Sequence, residues 1–513
     1  MKYKIDRIWW LILAATCLRI LIAISLDLGN DEVYYWTYAQ RLQWNYFDHP
    51  PMVAWLVRLT TANLFFHNEL VVRLGAILSS AACSLLIYKI GLQLYSRLAG
   101  WYAALLYTAS FYCGIIAGTF ILPDSPQMFF WLLGILILIK IDRSQQNLSR
   151  NRMLWVFFGA VAGLCMMCKV HGIFLWVAVG IYAAIWAKGW WKNPWMYIAG
   201  MISIAIISPI IIWNFQNNFI TYAYHESRVV PAGGVNILAF FREIFGEIFY
   251  NNPFIFVMVW GAVWSWQKNR LAFPKQKTAL LICCSLPLIF TLLFLALFRD
   301  TLPHWSGPAY SVLIILVAIK LAADTHTRRA KRLVYASLLF FLLVVFSGLV
   351  VINWYPGTLG SSDDPHTLGK GDVTLDLYGW EQAGQQFAKL QLDDVSKGMM
   401  KGNEPIIINK WFPAAHIDFY LTKLTGQQTY GIGPIFDLHQ YYFYNKYRKK
   451  PMKGNDAYFV TSSNIFSRQD IDYNKLNFTK IEGPLLLPIY RNGRVCKNLI
   501  VYRLRGFKGI LGE

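Results

Sequence analysis

Eleven long apolar runs are the feature that most limits how this 513-residue chain can fold. A helix needs about 20 apolar residues to cross about 30 Å of hydrocarbon, and most of the runs approach or reach that length. The runs are continuous rather than alternating, which favours spanning helices over the strands of a membrane β-barrel. They lie at about 8–26, 71–90, 99–118, 127–141, 153–168, 172–187, 195–213, 254–267, 278–298, 306–323 and 333–353.

The charge content agrees with a membrane protein. Only 15% of the residues are charged and 56% are apolar, whereas about a quarter of the residues in a soluble domain are charged. This composition excludes a single compact soluble core and a disordered chain. The net charge of +20 would suggest nucleic acid in a soluble protein, but here the positive-inside bias of membrane proteins explains it. We therefore expect no nucleic-acid partner.

The distribution of Lys and Arg between the two faces predicts the orientation of the chain. With the N-terminus in the cytoplasm, twenty of these residues lie in cytoplasmic loops and seven lie between spans on the other face. The run at 8–26 lacks a small-x-small exit and is long enough to span, so we interpret it as an anchor rather than a signal peptide. We expect a multi-pass protein of the bacterial inner membrane, with the N-terminus cytoplasmic and the C-terminal domain periplasmic.

The sequence divides into two predicted domains. Residues 1–353 form a transmembrane catalytic domain, with periplasmic loops at 27–70 and 215–252. In the tail, 354–513, Gly, Asp, Ser and Lys reappear, which predicts a small extracytoplasmic α/β domain. Its predicted strands lie at 405–409, 457–461 and 499–502, and its predicted amphipathic helices at 380–390 and 414–421.

Three acidic motifs lie on the predicted outer face. Asp31 and Glu32 directly follow the first span, where the alternative to a functional role is a helix start with Asn30 as the N-cap and Asp31 as a first-turn acid. Asp48 and His49 precede a double proline that stops a helix. Asp124 lies between two spans, where capping of the next helix is the alternative to a functional role.

Cations and histidines share this face. Lys169 and His171 lie in a turn with almost no loop around it, where a charge is functional by default and interfacial snorkelling is the alternative. With the acids they form a mixed cluster suited to a phosphate-bearing lipid substrate, because cations bind phosphate and an acid acts as base. The other members, each of which alone would be a solvated loop charge, are His225, Arg228, Arg299 and His304.

The ordered motifs resemble the GT-C superfamily of polyprenyl-phosphate-dependent glycosyltransferases. Within it they are similar to the protein O-mannosyltransferase-like branch, glycosyltransferase family 39, which includes lipid A aminoarabinose transferases and galacturonosyltransferase-like relatives. The resemblance covers nearly the whole chain and implies the GT-C fold. The motifs are Asp31-Glu32-x-Tyr34-Tyr35-Trp36, Tyr46-Phe47-Asp48-His49-Pro50-Pro51, Pro123-Asp124-Ser125-Pro126, Lys169 in its short turn, Ile212-Trp213-Asn214-Phe215-Gln216-Asn217, Pro303-His304-Trp305-x-x-Pro308, Tyr378-Gly379-Trp380-Glu381 and Phe419-Tyr420-Leu421.

The resemblance also implies roles for single residues. Asp31 is the catalytic base, with Glu32 as its neighbour, and Asp124 is a second active-site acid. The donor phosphate is held by His49, Lys169 and Arg228, and further active-site candidates are Asp48, His171, His225, Arg299 and His304.

The implied function is the transfer of a sugar, with inversion, from a polyprenyl-phosphate donor to a cell-envelope acceptor on the outer face of the inner membrane. The acceptor is lipid A or lipopolysaccharide, another glycolipid or glycan, or a protein. This chain has His49 where aminoarabinose transferases have a phosphate-contacting lysine, so the charge at this position depends on the surroundings of the imidazole. Some GT-C enzymes use a divalent metal and others do not, so a metal stays open and no other cofactor is expected.

A transporter or flippase for a lipid-linked sugar is the main alternative. It predicts ionisable residues near mid-span and a duplicated pair of broken helices, whereas Arg19 is the clear charged exception within a predicted span. A receptor or scaffold that uses the tail as a binding module would leave the polar clusters unexplained. The sequence therefore favours the enzyme.

The orientation is testable with reporter fusions. A fusion after Asp364 should be active with a periplasmic reporter and silent with a cytoplasmic one, because the charge asymmetry places the tail outside. The opposite result would contradict the orientation and, with it, the common face of the charged motifs.

Overall fold

The computed structural model describes residues 7–144, 148–229, 234–270, 274–324 and 326–509. They form two compact units. The first unit contains 1–23 and 42–345, and the second contains 24–41 and 346–513. The tail thus forms a unit with the first outer segment, which the sequence analysis placed in the transmembrane domain.

The first unit is almost entirely helical. Its α-helices are Arg7–Ser25, Met52–Thr60, Glu69–Leu94, Arg97–Ala109, Asp124–Arg143, Leu148–Cys168, Phe174–Ile185, Pro194–Gln216, Ile220–Val229, Ile237–Tyr250, Pro253–Gln267, Lys275–Cys283, Leu286–Ala296, Gly307–Ala323 and Thr327–Trp354, the first and last of which run into the second unit. Short 3-10 or π turns lie at Tyr112–Ile116, Val170–Ile173, Lys188–Lys192 and Pro303–Ser306.

Every predicted apolar run coincides with a helical segment, which confirms the polytopic helical fold class. In the described ranges, eight segments are long and apolar enough to cross a membrane: Arg7–Ser25, Glu69–Leu94, Asp124–Arg143, Ser149–Cys168, Pro194–Gln216, Lys275–Ala296, Pro303–Ala323 and Thr327–Trp354. The other three predicted runs form the shorter helical segments Arg97–Ala109, Val170–Ile185 and Pro253–Gln267.

The run at 99–118 shows why hydropathy overestimates a continuous helix. The α-helix ends at Ala109 because Ser110 has an extended backbone, and the chain continues as the π turn Tyr112–Ile116. The hydroxyl of Thr119 donates to the carbonyl of Gly114 in this turn. Apolar composition is the same on both sides of such a break, so hydropathy does not reveal it.

Small residues bring helices of the first unit into backbone contact. A Cβ on Gly91 would lie 2.8 Å from the Cα of Gly100, and one on Gly159 would lie 2.4 Å from the carbonyl oxygen of Ala199. Close approach of this kind is how helices associate where lipid removes the hydrophobic driving force between them. A larger side chain at either glycine would separate the helices that position the site.

The second unit contains a five-stranded mixed sheet. The strands are β1 (Ile406–Ile408), β2 (Thr429–Gly431), β3 (Ala457–Ser462), β4 (Phe478–Arg491) and β5 (Arg494–Phe507), in the order β2-β1-β3-β5-β4. Strand β1 is parallel to β2 and β3, whereas β5 is antiparallel to β3 and β4. The α-helices are Asn30–Gln40, Trp380–Ser396, Trp411–His416, Thr422–Thr425, Ile435–Leu438, Gln440–Tyr444 and Arg468–Asn477. Short 3-10 or π turns lie at Val373–Leu377, Ile417–Leu421, Asn445–Tyr447 and Ser463–Ile465.

The predicted α/β character of the tail is confirmed, and two strands were missed. Strand β2 is only three residues long, which is too short to show an alternation of apolar and polar residues. Strand β4 has a register shift between Glu482 and Leu485, around Gly483 and Pro484, so its alternation is broken. The sheet is held by an apolar cluster that includes Ile407, Phe459, Ile500, Leu504 and Phe507.

Candidate active site

A buried ion pair lies at the centre of the candidate site in the first unit. Asp124 begins the helix Asp124–Arg143, and Lys169 follows the helix Leu148–Cys168 directly. The Nζ of Lys169 donates to Oδ2 of Asp124 at 2.8 Å, and their side chains are only 5% and 3% exposed. The hydroxyl of Tyr112 donates to Oδ1 of the same carboxylate at 2.9 Å. The anionic partner of Lys169 in this structure is therefore Asp124.

Two predicted histidines surround this pair. His171 and His304 both interact electrostatically with Asp124 and Lys169. The ring of His171 lies 5.7 Å from the ring of Trp305, measured between centroids. These residues come from two 3-10 turns, Val170–Ile173 and Pro303–Ser306, which the structure brings together. The result is one buried ion pair with two imidazoles beside it.

The proline-stopped loop contributes a third histidine. Nδ1 of His49 lies 3.2 Å from Oδ2 of Asp48, and Nε2 of His225 lies 2.7 Å from the carbonyl oxygen of Asp48. The imidazole centroids of His49 and His225 are 6.2 Å apart. Both histidines also interact electrostatically with the two histidines beside the Asp124–Lys169 pair: His49 with His304, and His225 with His171.

The helix Ile237–Tyr250 supports the turn that carries His304, and sequence reasoning missed its acids. Glu243 and Glu247 are each 1% exposed; Glu243 accepts from the hydroxyl of Thr301 at 2.7 Å, and Glu247 accepts from the hydroxyl of Tyr310 at 3.0 Å. Burial raises the pKa of Glu247 to about 7. The i,i+4 spacing of two acids in an otherwise aromatic helix was a signal that both side chains face inward.

Asp31 and Glu32 belong to the second compact unit. They lie in the first turn of the helix Asn30–Gln40, whose N-cap is Gly29. Glu32 is 2% exposed and its Oε2 accepts from the backbone N–H of Gly29 at 2.9 Å, so it caps the start of the helix. Asp31 is exposed. The helix-capping role that the sequence analysis shared between Asn30 and Asp31 thus falls to Gly29 and Glu32, and Asp31 is left facing outward.

Asp376 is an acid beside this turn that the sequence analysis did not identify. Its Oδ2 lies 3.5 Å from the backbone nitrogen of Asn30. The pKa of Asp376 is raised to about 7, chiefly by burial; the hydrogen bond from Asn30 and the charge of Lys497 lower it, and the charges of Asp31 and Glu32 raise it. Its position two residues before the Tyr378-Gly379-Trp380-Glu381 motif was the available signal.

The remaining predicted residues are less informative. Arg299 is half-buried in the segment before the turn Pro303–Ser306. Arg228 lies in the helix Ile220–Val229, but its side chain lies outside the described residues. Among the residues that the structure describes, no group of three or more His, Cys, Asp or Glu side chains has metal-ligating geometry. The convergence of Asp31 with Asp124 stays a prediction.

Known proteins share this fold and part of this sequence. Residues 48–213 match the dolichyl-phosphate-mannose-protein mannosyltransferase family. The lipid A galacturonosyltransferase RgtD of Rhizobium johnstonii is 24% identical over 299 residues, which span 56% of this chain and only 59% of that protein. The matching segment 48–213 contains Asp48, His49, Asp124, Lys169 and His171.

The structural similarity extends over the whole chain. ArnT from Cupriavidus metallidurans in the apo state has a TM-score of 0.62 at 14% identity, with 96% of this chain and 97% of ArnT covered. ArnT bound to undecaprenyl phosphate has a TM-score of 0.61 at 14% identity, with the same shares covered. The fold is that of ArnT, and the resemblance predicted from the ordered motifs is confirmed.

The Asp124–Lys169 pair makes a testable prediction about stability. Lys169→Met should lower the free energy of unfolding by about 3–5 kcal/mol, because it leaves a carboxylate buried without its cation. The double variant with Asp124→Asn should recover part of that loss, since both charges are then gone. Unfolding titrations of the purified protein in mixed micelles measure both values.

The exposed pair Arg242–Asp300, with side chains 56% and 68% exposed, is the matched control for this cycle. Removing Arg242 alone should change the free energy of unfolding by less than about 1 kcal/mol, because water already solvates both charges. Equal effects at the buried and exposed pairs would contradict the buried-pair assignment.

The raised pKa of Asp376 predicts a pH dependence of the second unit. Below its folded pKa of about 7 the buried carboxyl keeps a proton that the unfolded chain releases above about pH 4. Stability should therefore fall as pH rises from about 4 to 7, by up to about 1.4 kcal/mol per pH unit, and then level off. Asp376→Asn should remove this contribution, whereas Asp363→Asn at an exposed site should keep it.

Urea-dependent pulse proteolysis of the full chain between pH 4 and 8 measures that slope for the second unit. If Asp376→Asn has the same slope as wild type, Asp376 does not hold the proton.

Proposed function

We propose that the protein is an inverting glycosyltransferase that moves a sugar from a polyprenyl-phosphate donor to a cell-envelope acceptor. The observation that carries the proposal is the buried Asp124–Lys169 pair, ringed by histidines, in a fold like that of ArnT. A buried cation with imidazoles around it suits a phosphate whose charge grows as its bond to the sugar breaks. ArnT has been observed with undecaprenyl phosphate, which supports this class of donor.

The proposed reaction involves the acceptor hydroxyl, the anomeric carbon of the donor with its phosphate, and a base. The acceptor hydroxyl attacks the anomeric carbon, the bond from that carbon to the phosphate oxygen breaks, and a base takes the hydroxyl proton. We assign the base to Asp31 rather than Glu32, because Glu32 already accepts from the helix N-terminus whereas Asp31 is exposed. The carboxylate of Asp124 orients Lys169 and positions the sugar.

Lys169 retains capacity for the phosphate while it is paired with Asp124. Its ammonium has three N–H donors, and the described contacts use one of them for Asp124. His49 and Arg228 are the other donor ligands that we propose. His49 stands where aminoarabinose transferases have a lysine, and its Nδ1 lies 3.2 Å from Oδ2 of Asp48.

The acceptor is a glycolipid of the lipid A type, another envelope glycan, or a protein. The similarity to a lipid A galacturonosyltransferase favours the first of these. The reaction takes place on the outer face of the bacterial inner membrane, since the predicted orientation places Asp124, Lys169 and the histidines there.

Asp31→Asn should reduce sugar transfer by about 10²- to 10⁴-fold while the protein stays folded, because the amide keeps the shape of the side chain and lacks the basicity. Asp363→Asn, another exposed acid of the same unit, is the matched control and should keep wild-type turnover. Release of free polyprenyl phosphate from a polyprenyl-phosphate sugar, measured with the purified protein, is the readout.

Two results would overturn parts of this proposal. More than about a tenth of wild-type turnover in Asp31→Asn would remove Asp31 as the base and leave Asp124 or Asp376 as candidates. A wild-type protein that moves intact lipid-linked sugar across liposomes, and releases no polyprenyl phosphate with any envelope acceptor, would be a transporter.

A further inference from the structure

The second unit contains a polar cavity that the proposed chemistry does not use. Its volume is about 260 Å³, slightly below the roughly 300–1,000 Å³ of pockets for drug-sized ligands. Four separate stretches of chain converge on it, at 40–41, 418–422, 427–428 and 444–448. We propose that this cavity binds an anionic saccharide: one or two sugar rings that carry a carboxylate or a phosphate.

The charge of the cavity wall favours an anion. Asp418 is neutralised, because its Oδ2 accepts from Arg448 at 2.6 Å and from the hydroxyl of Tyr441 at 2.9 Å, and its Oδ1 accepts from Thr429 at 2.8 Å. Arg41 then adds a positive charge to the wall. The neighbouring segment 446–453 carries four lysines, three of which, Lys446, Lys449 and Lys450, are exposed next to Arg448.

The remaining lining residues suit a sugar rather than a bare ion. The guanidinium of Arg41 lies 3.9 Å from the ring centroid of Tyr447, so cation and aromatic surface are presented side by side. Gln428 is exposed at the cavity and offers amide donors and an acceptor to hydroxyl groups. Gln427 is 6% exposed, and its Oε1 has no hydrogen-bond partner in the described part of the chain. A bound hydroxyl would satisfy such an acceptor.

The walls of the cavity are fixed before any ligand binds. Arg448 also donates to the carbonyl of Thr429 at 3.1 Å, and the hydroxyl of Tyr444 donates to the carbonyl of Thr37 at 2.8 Å. Gln427 donates to the carbonyl of Glu404 at 2.9 Å. A preorganised wall lowers the entropy cost of binding. Arg41, Gln428 and Tyr447 are exposed, so a soluble or membrane-attached glycan can reach them.

In one respect this inference rests on the proposed function: it assigns the bound saccharide to the acceptor glycan. Binding without transfer is measurable, so the two proposals fail separately. A protein that binds the anionic sugar and transfers nothing would keep the cavity assignment and lose the glycosyltransferase. A protein that transfers sugar and binds no anionic saccharide at this cavity would do the reverse.

The test uses saturation-transfer difference NMR titrations on the full chain in detergent. Galacturonic acid is compared with galactose, and glucose 1-phosphate with glucose and with inorganic phosphate. At least one anionic sugar should bind about tenfold or more tightly than its neutral counterpart, because one charge-assisted contact contributes that much. Which of the two binds identifies the anion as carboxylate or phosphate.

Arg41→Gln should weaken binding of the anionic sugar by about tenfold or more and leave the neutral sugar unchanged. Lys475→Gln, an exposed cation of the same unit paired with Asp472, is the matched control and should leave both unchanged. Gln428→Ala should weaken both the anionic and the neutral sugar, because it removes hydroxyl contacts. Thermal unfolding of each variant checks the fold.

Three outcomes would overturn the proposal. Equal affinities for charged and neutral sugars would remove the anion requirement. Inorganic phosphate that binds as tightly as glucose 1-phosphate, together with no binding of galacturonic acid, would make the cavity an ion site rather than a saccharide site. An unchanged affinity in Arg41→Gln, with the fold intact, would place the bound sugar elsewhere.

Discussion

The buried contact between Asp124 and Lys169 is the interaction on which the candidate site of the first unit depends. Neither charge is stable alone in a low-dielectric interior. The start of one helix and the end of another therefore lie close enough for Nζ of Lys169 to be 2.8 Å from Oδ2 of Asp124. Tyr112, in the π turn within the broken apolar run 99–118, donates the second hydrogen bond to this carboxylate.

The acids of the candidate sites differ in the same respect: some are buried and hydrogen-bonded, and others are exposed. Glu32, Glu243 and Glu247 are buried and each accepts a hydrogen bond from a neighbour in its own unit. Asp31, in contrast, is exposed. A sequence motif that pairs Asp31 with Glu32 does not distinguish them, whereas the structure buries Glu32 against the start of its helix and leaves Asp31 exposed.

The second unit depends on contacts between its two separated pieces of chain. The N–H of Asp27 donates to the carbonyl of Leu377, and the carboxylate of Asp27 accepts from the N–H of Trp380 at 2.7 Å. The motif around Tyr378-Gly379-Trp380-Glu381 is therefore a docking surface for residues 24–41. This is a physical reason for such a motif to accompany Asp31, and the cavity bordered by Arg41 is formed by the same association.

The sequence by itself determined the helical membrane fold, because apolar runs long enough to span have few other stable forms. It also determined the small α/β tail and most of the polar residues that gather around Asp124. The tertiary structure decided where helices break, as at Ser110, since hydropathy is blind to backbone hydrogen bonding. It also decided which charges are partnered, because Asp376, Glu247 and Tyr112 acquire their roles from contacts between residues distant in sequence. A local sequence pattern gives the periodicity of apolar residues and the polarity of a segment. Which side chains are buried and which polar groups are paired is defined only in the folded chain.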